Sequence, residues 1–137
     1  MTDGLDLDHV AVVVRDLDVA ERFYREVFGM KPDHRVETQE HKYALDEVIM
    51  SLEGAPGAPA GHALILTRYL ERPCPPAGAA WTGFVVADID ATIAAVERAG
   101  GRSEVPVHEN AEHGVRAAIV ADPDGHLIEL IQMLAPQ

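Results

Sequence analysis

The strongest constraint on this chain is that it repeats itself. The segment His9-Val-Ala-Val-Val-Val-Arg-Asp-Leu-Asp18 is matched by Trp81-Thr-Gly-Phe-Val-Val-Ala-Asp-Ile-Asp90, 72 positions later at both ends. Each segment is a run of apolar, largely β-branched residues that ends in Asp-x-Asp and leads into a helical pattern. In Leu17–Phe28, Val19, Phe23 and Val27 recur at helical spacing, as do Ala20 and Tyr24. In Ile89–Ala99, the set is Ile89, Ile93, Val96 and Ala99. Asp16 or Asp18 can cap the first helix, with Glu21 at capping-box spacing from Asp18, and Asp88 or Asp90 can cap the second. Gly29 and Gly101 stand at equivalent positions and read as helix stops.

A second match closes each half. Gly61-His-Ala-Leu-Ile-Leu-Thr67 resembles Gly125-His-Leu-Ile-Glu-Leu-Ile131, here 64 positions apart, so the first half carries eight extra residues. The turn-rich stretch Glu53–Ala60 is the expected place for them. Between helix and closing strand each half has room for two more strands. They are expected near Asp33–Thr38 and Ala44–Leu52, then near Arg102–His108 and Val115–Ala121. Pro106 makes the third of these an edge strand. The spacing therefore predicts an α+β fold of two tandem βαβββ modules, about 5–71 and 81–134. The Pro-, Ala- and Gly-rich stretch 72–80 joins them.

Composition narrows the function classes. The chain has 137 residues, enough for one domain with a real core, and 47% of them are apolar. No stretch approaches the ~18 apolar residues of a membrane span. The N-terminus lacks a basic region followed by an apolar run, so no signal peptide is expected and the expected location is the cytoplasm. Cys74 is the sole cysteine, which excludes an internal disulfide. With 23 acidic and 11 basic residues the net charge is −12, which argues against nucleic acid or an anionic membrane as partner. P-loop, dinucleotide, Cys-x-x-Cys and nucleophile-elbow signatures are missing.

Three stretches carry a family resemblance. They are Leu7-Asp-His-Val-Ala-Val-Val-Val-Arg-Asp-Leu with Ala20-Glu-Arg-Phe-Tyr-Arg-Glu-Val-Phe-Gly-Met30; Gly83-Phe-Val-Val-Ala-Asp-Ile-Asp90; and Gly114-Val-Arg with Asp122-Pro-Asp-Gly-His-Leu-Ile-Glu-Leu130. In this order they resemble the vicinal oxygen chelate superfamily, the glyoxalase, bleomycin-resistance and extradiol-dioxygenase group. The resemblance implies cupped mixed sheets with helices outside and a small-molecule substrate. It also implies a homodimer.

Strand alternation picks out the polar candidates. Val10, Val12 and Val14 share one face of the first strand, and His9, Ala11 and Val13 the other. The valine face is expected under the helix. In the last strand Leu127, Glu129, Ile131 and Met133 share a face. Glu129 among these apolar neighbours is solvated, paired through a hydrogen bond or ion pair, or a metal ligand. The resemblance places His9 at the first-strand ligand position and Glu129 at the last-strand position, with Glu129 also the catalytic carboxylate. That pair suits Fe(II), Mn(II), Ni(II) or Zn(II). The counterparts in the other halves are Trp81 for His9 and Ile65 for Glu129, and neither binds a metal. His62, His113 and His126, near strand ends, are the other imidazoles a site could draw on. Trp81 reads as core or as the aromatic wall of a ligand pocket, with Phe84, Tyr43, Tyr69, Met50 and Met133 around it. Arg116, Arg68 and Tyr69 are expected to orient an anionic or oxygenated substituent.

Two functions follow from the resemblance. One is a metal-dependent lyase/isomerase or ring-cleaving dioxygenase acting on a small oxygenated or aromatic metabolite. The other is a metal-free protein that sequesters a small molecule, as in the bleomycin-resistance branch.

Overall fold

The computed structural model describes residues 7–39, 43–53 and 63–135. The expected insertion at Glu53–Ala60 falls almost wholly outside them, as do His41 and His62. The elements run β1 (His9–Val13), α1 (Leu17–Phe28), β2 (Lys31–Thr38), β3 (Leu45–Ser51) and β4 (Ala63–Tyr69). The second half follows as β5 (Trp81–Val85), α2 (Ile89–Arg98), β6 (Arg102–Asn110), β7 (Val115–Ala121) and β8 (Leu127–Met133). Strand–helix–three strands thus occurs twice.

Each half makes a four-stranded mixed sheet, ordered β1-β4-β3-β2 and β5-β8-β7-β6. In each, the first and last strands pair in parallel and the remaining pairs are antiparallel. The helix after the first strand is the crossover that a parallel pair requires. β6 lies at the sheet edge and carries two register shifts around Pro106, which has no N–H for a ladder bond.

The first residue of each Asp-x-Asp is the helix cap. Oδ1 of Asp16 accepts from the Val19 N–H and Oδ1 of Asp88 from the Ala91 N–H, both at 3.1 Å. Asp18, the other residue considered for the first helix, sits inside α1, one position past Leu17. The glycines differ from expectation. Gly29 (φ 67°) and Gly100 (φ 95°) take the left-handed conformation that ends a helix. Gly101 is glycine for space: a Cβ there would run into the Ala121 backbone oxygen, Val96 and Phe23.

By contacts the chain divides into two units, Met1–Glu21 with Gly29–Cys74, and Arg22–Phe28 with Pro75–Gln137. In the first, β3 alternates strictly, with Asp46, Val48 and Met50 buried and Leu45, Glu47, Ile49 and Ser51 half-buried. Val12, Val14, Leu17, Ala20, Leu64 and Leu66 complete its core. In the second, Ile89 and Val96 of α2 are buried with Ala118, Val120, Ile128 and Leu130. Phe23 and Tyr24, from the end of α1, are fully buried in this unit, and Phe28 stacks on Phe84 with centroids 3.9 Å apart. Each such apolar side chain contributes about 1.5–3 kcal/mol when fully removed from water.

Candidate functional site

Because one face of each sheet is buried, alternation leaves the other face for function. On the second sheet that open face carries Trp81, Gly83 and Val85 from β5, Leu127, Glu129, Ile131 and Met133 from β8, and Val115, Ala117 and Ile119 from β7. In register, Gly83 and Ile119 flank Glu129, and Trp81 stands beside Leu127. Trp81 is 54% exposed, Val85 69% and Met133 60%. This face thus exposes large apolar side chains at both ends of β5 and at the end of β8. Glu129 is half-buried among them. Among the described residues nothing donates a hydrogen bond to its carboxylate or pairs with it, so both oxygens are open to a ligand.

The corresponding face of the first sheet carries His9, Ala11 and Val13, then Ala63, Ile65, Thr67 and Tyr69, then Leu45, Glu47 and Ile49, with Ile65 and Thr67 buried at its centre. Nδ1 of His9 lies 2.9 Å from Oδ2 of Asp8. With Nδ1–H donating to that carboxylate, Nε2 is left as an acceptor, and it has no described partner. Ile65, at the position matching Glu129, is buried. The carboxylate on this face is instead Glu47, two positions from Ile49 on β3, and its Oε2 accepts from the Thr67 hydroxyl at 3.2 Å. Sequence reading passed over Glu47. The alternation of Val48 and Met50 inward puts it outward, and that was the available signal.

Four residues expected at the pocket stand on the helix-covered faces. Phe84 is one position out of phase with Trp81, so its ring stacks on Phe28 instead of lining the open face. Arg116 lies opposite Gln132, and its guanidinium contacts Oδ2 of Asp90 in α2 at 3.3 Å through two nitrogens. Met50 is fully buried. Arg68 also faces the helix side, beside Asp46. Tyr69 stays on the open face at the end of β4. Tyr43 stacks under Arg72, 4.3 Å from its ring centroid. His113 and His126 are turn residues: the His113 N–H donates to Asn110 and the His126 N–H to Asp122.

Two buried carboxylates that sequence reading passed over sit outside the open faces. Asp46 receives Nε and Nη2 of Arg35 at 3.2 and 2.8 Å, and this pairing holds its carboxyl below the usual carboxylate range. Burial pushes the Asp122 carboxyl up, against the opposing pull of the Tyr24 hydroxyl and the His126 N–H. Asp46 shares the buried face of β3 with Val48 and Met50, and Asp122 lies in the turn after β7, outside any apolar run.

Among the described residues no three His, Cys, Asp or Glu side chains group to hold a metal ion. Trp81 and Ile65, the repeat counterparts of His9 and Glu129, carry no metal-binding atom. A four-donor cage does not fit these residues.

Comparison with known proteins places this architecture. Residues 6–130 match the model of the Glyoxalase/Bleomycin resistance protein/Dioxygenase superfamily. A protein of Vibrio parahaemolyticus named a probable lactoylglutathione lyase is 35% identical, over 96% of this chain and 93% of its own. A Vibrio cholerae protein of the same name is 33% identical over 90% and 88%. A glyoxalase family protein from Bacillus cereus superposes with a TM-score of 0.78 at 22% identity, covering 98% of this chain and 99% of its own.

Proposed function

Since the chain belongs to the Glyoxalase/Bleomycin resistance protein/Dioxygenase superfamily, we propose that it is a lyase/isomerase acting on a small oxygenated metabolite. The observation that supports this most is Glu129: a half-buried carboxylate, without a described partner, set in an otherwise apolar sheet face. Such a group is suited to take a proton from a carbon next to a carbonyl and return it to the neighbouring atom. Trp81, on the same face, supplies a flat wall for the apolar part of the substrate. Phe84 and Arg116 take no part. The name borne by the two Vibrio relatives makes lactoylglutathione the first compound to test.

Superfamily members commonly use divalent metals. His9 on the first sheet and Glu129 on the second are each proposed as a donor to an Fe, Mn, Ni or Zn ion. The chain is proposed to act in the cytoplasm as a homodimer. No described helix is long and apolar enough to cross a membrane.

The test is formation of lactoylglutathione from glutathione and methylglyoxal, in metal-free buffer and with each of the four ions. Glu129→Gln should lower kcat by about 10²-fold or more. Wild-type protein inert under all five conditions would overturn the lyase reading for this substrate.

Trp81 and Ile65 at ligand positions favour a second reading, a metal-free binding protein. It predicts saturable quenching of Trp81 fluorescence by an aromatic or cationic metabolite with no product formed.

A further inference from the structure

The helix-facing side of the first sheet holds a feature that the proposed activity does not use. An open cleft of about 300 Å³ lies at the start of α1, lined by Arg15, Asp16, Leu17, Asp18, Arg35 and Arg68. Three of the chain's 11 basic residues meet there, on a protein of net charge −12.

The acids around the cleft are already engaged. Asp46 takes two hydrogen bonds from Arg35, one on each oxygen. Asp16 spends Oδ1 on the helix cap. Asp18 is 88% exposed and touches Nη1 of Arg35 at 3.3 Å. Arg68 differs from all of these. Its nearest acidic atom is Oδ2 of Asp46 at 3.9 Å, beyond hydrogen-bond distance. Among the described residues no acceptor takes any of its five N–H groups. Its side chain is 40% exposed. A planar donor fork left over beside an acid that is already satisfied is not explained by that acid's neutralisation.

The geometry points to a second ligand site: the cleft binds a small oxyanion, a phosphate or carboxylate group, held by the Arg68 guanidinium with Arg15 and Arg35 beside it. Arg68 supplies the paired, charge-assisted hydrogen bonds. The positive end of α1 adds to the attraction. Asp18, exposed at the rim, competes with the anion for Arg35 and sets a modest affinity.

The probes are inorganic phosphate and succinate, added to the full chain at constant ionic strength with chloride as the control. The readout is the Nε–Hε NMR signal of each arginine. A saturable shift is expected at Arg68 and Arg35, with Arg98 and Arg102 unmoved. Arg68→Gln should weaken binding by about tenfold or more. Asp18→Asn, at a site too exposed to threaten folding, should tighten it by roughly two- to fivefold. A response to phosphate alone, or to succinate alone, supports the site and identifies which oxyanion it takes. Shifts that do not saturate, or that are equal at Arg98 and Arg102, overturn the site, as does an Asp18→Asn variant that binds more weakly. Lactoylglutathione formation is measured separately, so its presence or absence leaves this outcome unaffected.

Discussion

The Tyr24 hydroxyl donates a 2.8 Å hydrogen bond to Oδ2 of Asp122, and both residues are buried. Oδ1 of the same carboxylate accepts from the backbone N–H groups of Asp124 and His126, at 2.9 Å each, in the turn between β7 and β8. One aspartate therefore fixes the turn and anchors the end of α1. Tyr24→Phe removes one donor from a buried carboxylate and should cost about 1–3 kcal/mol. Asp122→Ala also orphans two backbone N–H groups and should cost more. Urea denaturation of both variants checks the order.

The two buried aspartates should make stability depend on pH in opposite senses. Asp46 is held below its ordinary value by Arg35, so its contribution is present above the unfolded value and is lost as pH falls through the lowered one. Asp122 is held above its ordinary value by burial, so stability declines as pH rises from the unfolded value to the raised one. Unfolding free energies measured between about pH 3 and 7 should show a shallower acid-side fall in Asp46→Asn than in the wild type. Asp122→Asn should remove the decline on the rising side.

Gly101 and Gly29 stand at the ends of their helices for different reasons, and alanine separates them. At Gly101 a methyl group meets the backbone of Ala121 and the side chains of Val96 and Phe23, so Gly101→Ala should cost about 3 kcal/mol. At Gly29 the space is open and only the positive φ opposes a side chain, so Gly29→Ala should cost about 1–2 kcal/mol. Thermal unfolding of the two variants is the measurement.

Thr82 has a buried hydroxyl oxygen with no hydrogen-bond partner among the described residues. Thr82→Val keeps the shape and removes the unsatisfied group. It should raise stability by about 1 kcal/mol, seen as a higher Tm.

Trp81 and Phe84 lie on opposite faces of β5 and should fail differently. Trp81→Ala removes a half-exposed side chain and should change stability by under about 0.5 kcal/mol while weakening ligand binding. Phe84→Ala empties the stack on Phe28 and should cost about 3 kcal/mol, leaving the open face unaltered. Denaturation and ligand titration of both variants together test the assignment of faces.

Periodicity and repetition made most of the fold legible from the chain alone. The 72-residue offset held for β1 with β5 and for both helix starts, because the same apolar spacing and Asp-x-Asp segment begin each half. The open face was legible in part. His9, Glu129 and Trp81 are turned outward by the same alternation that turns Val12, Val14 and Leu130 inward. Phe84 and Arg116, expected at the pocket from strand direction, lie on the covered side. Glu47 followed the alternation too, but Asp46 stands next to it, and two adjacent carboxylates do not stand out as one polar residue in an apolar run does.

What the sequence determined by itself was local: which residues repeat, which face of a strand is apolar, and which Asp-x-Asp segments begin helices. Tertiary structure decided everything that depends on residues far apart in the chain. It joined Tyr24 to Asp122 across 98 positions and set Arg35 on Asp46, while among the described residues Arg68 keeps donors to spare. The physical reason is that hydrophobic patterning is read from spacing along one element, whereas a polar group's partner is fixed only when separate elements pack.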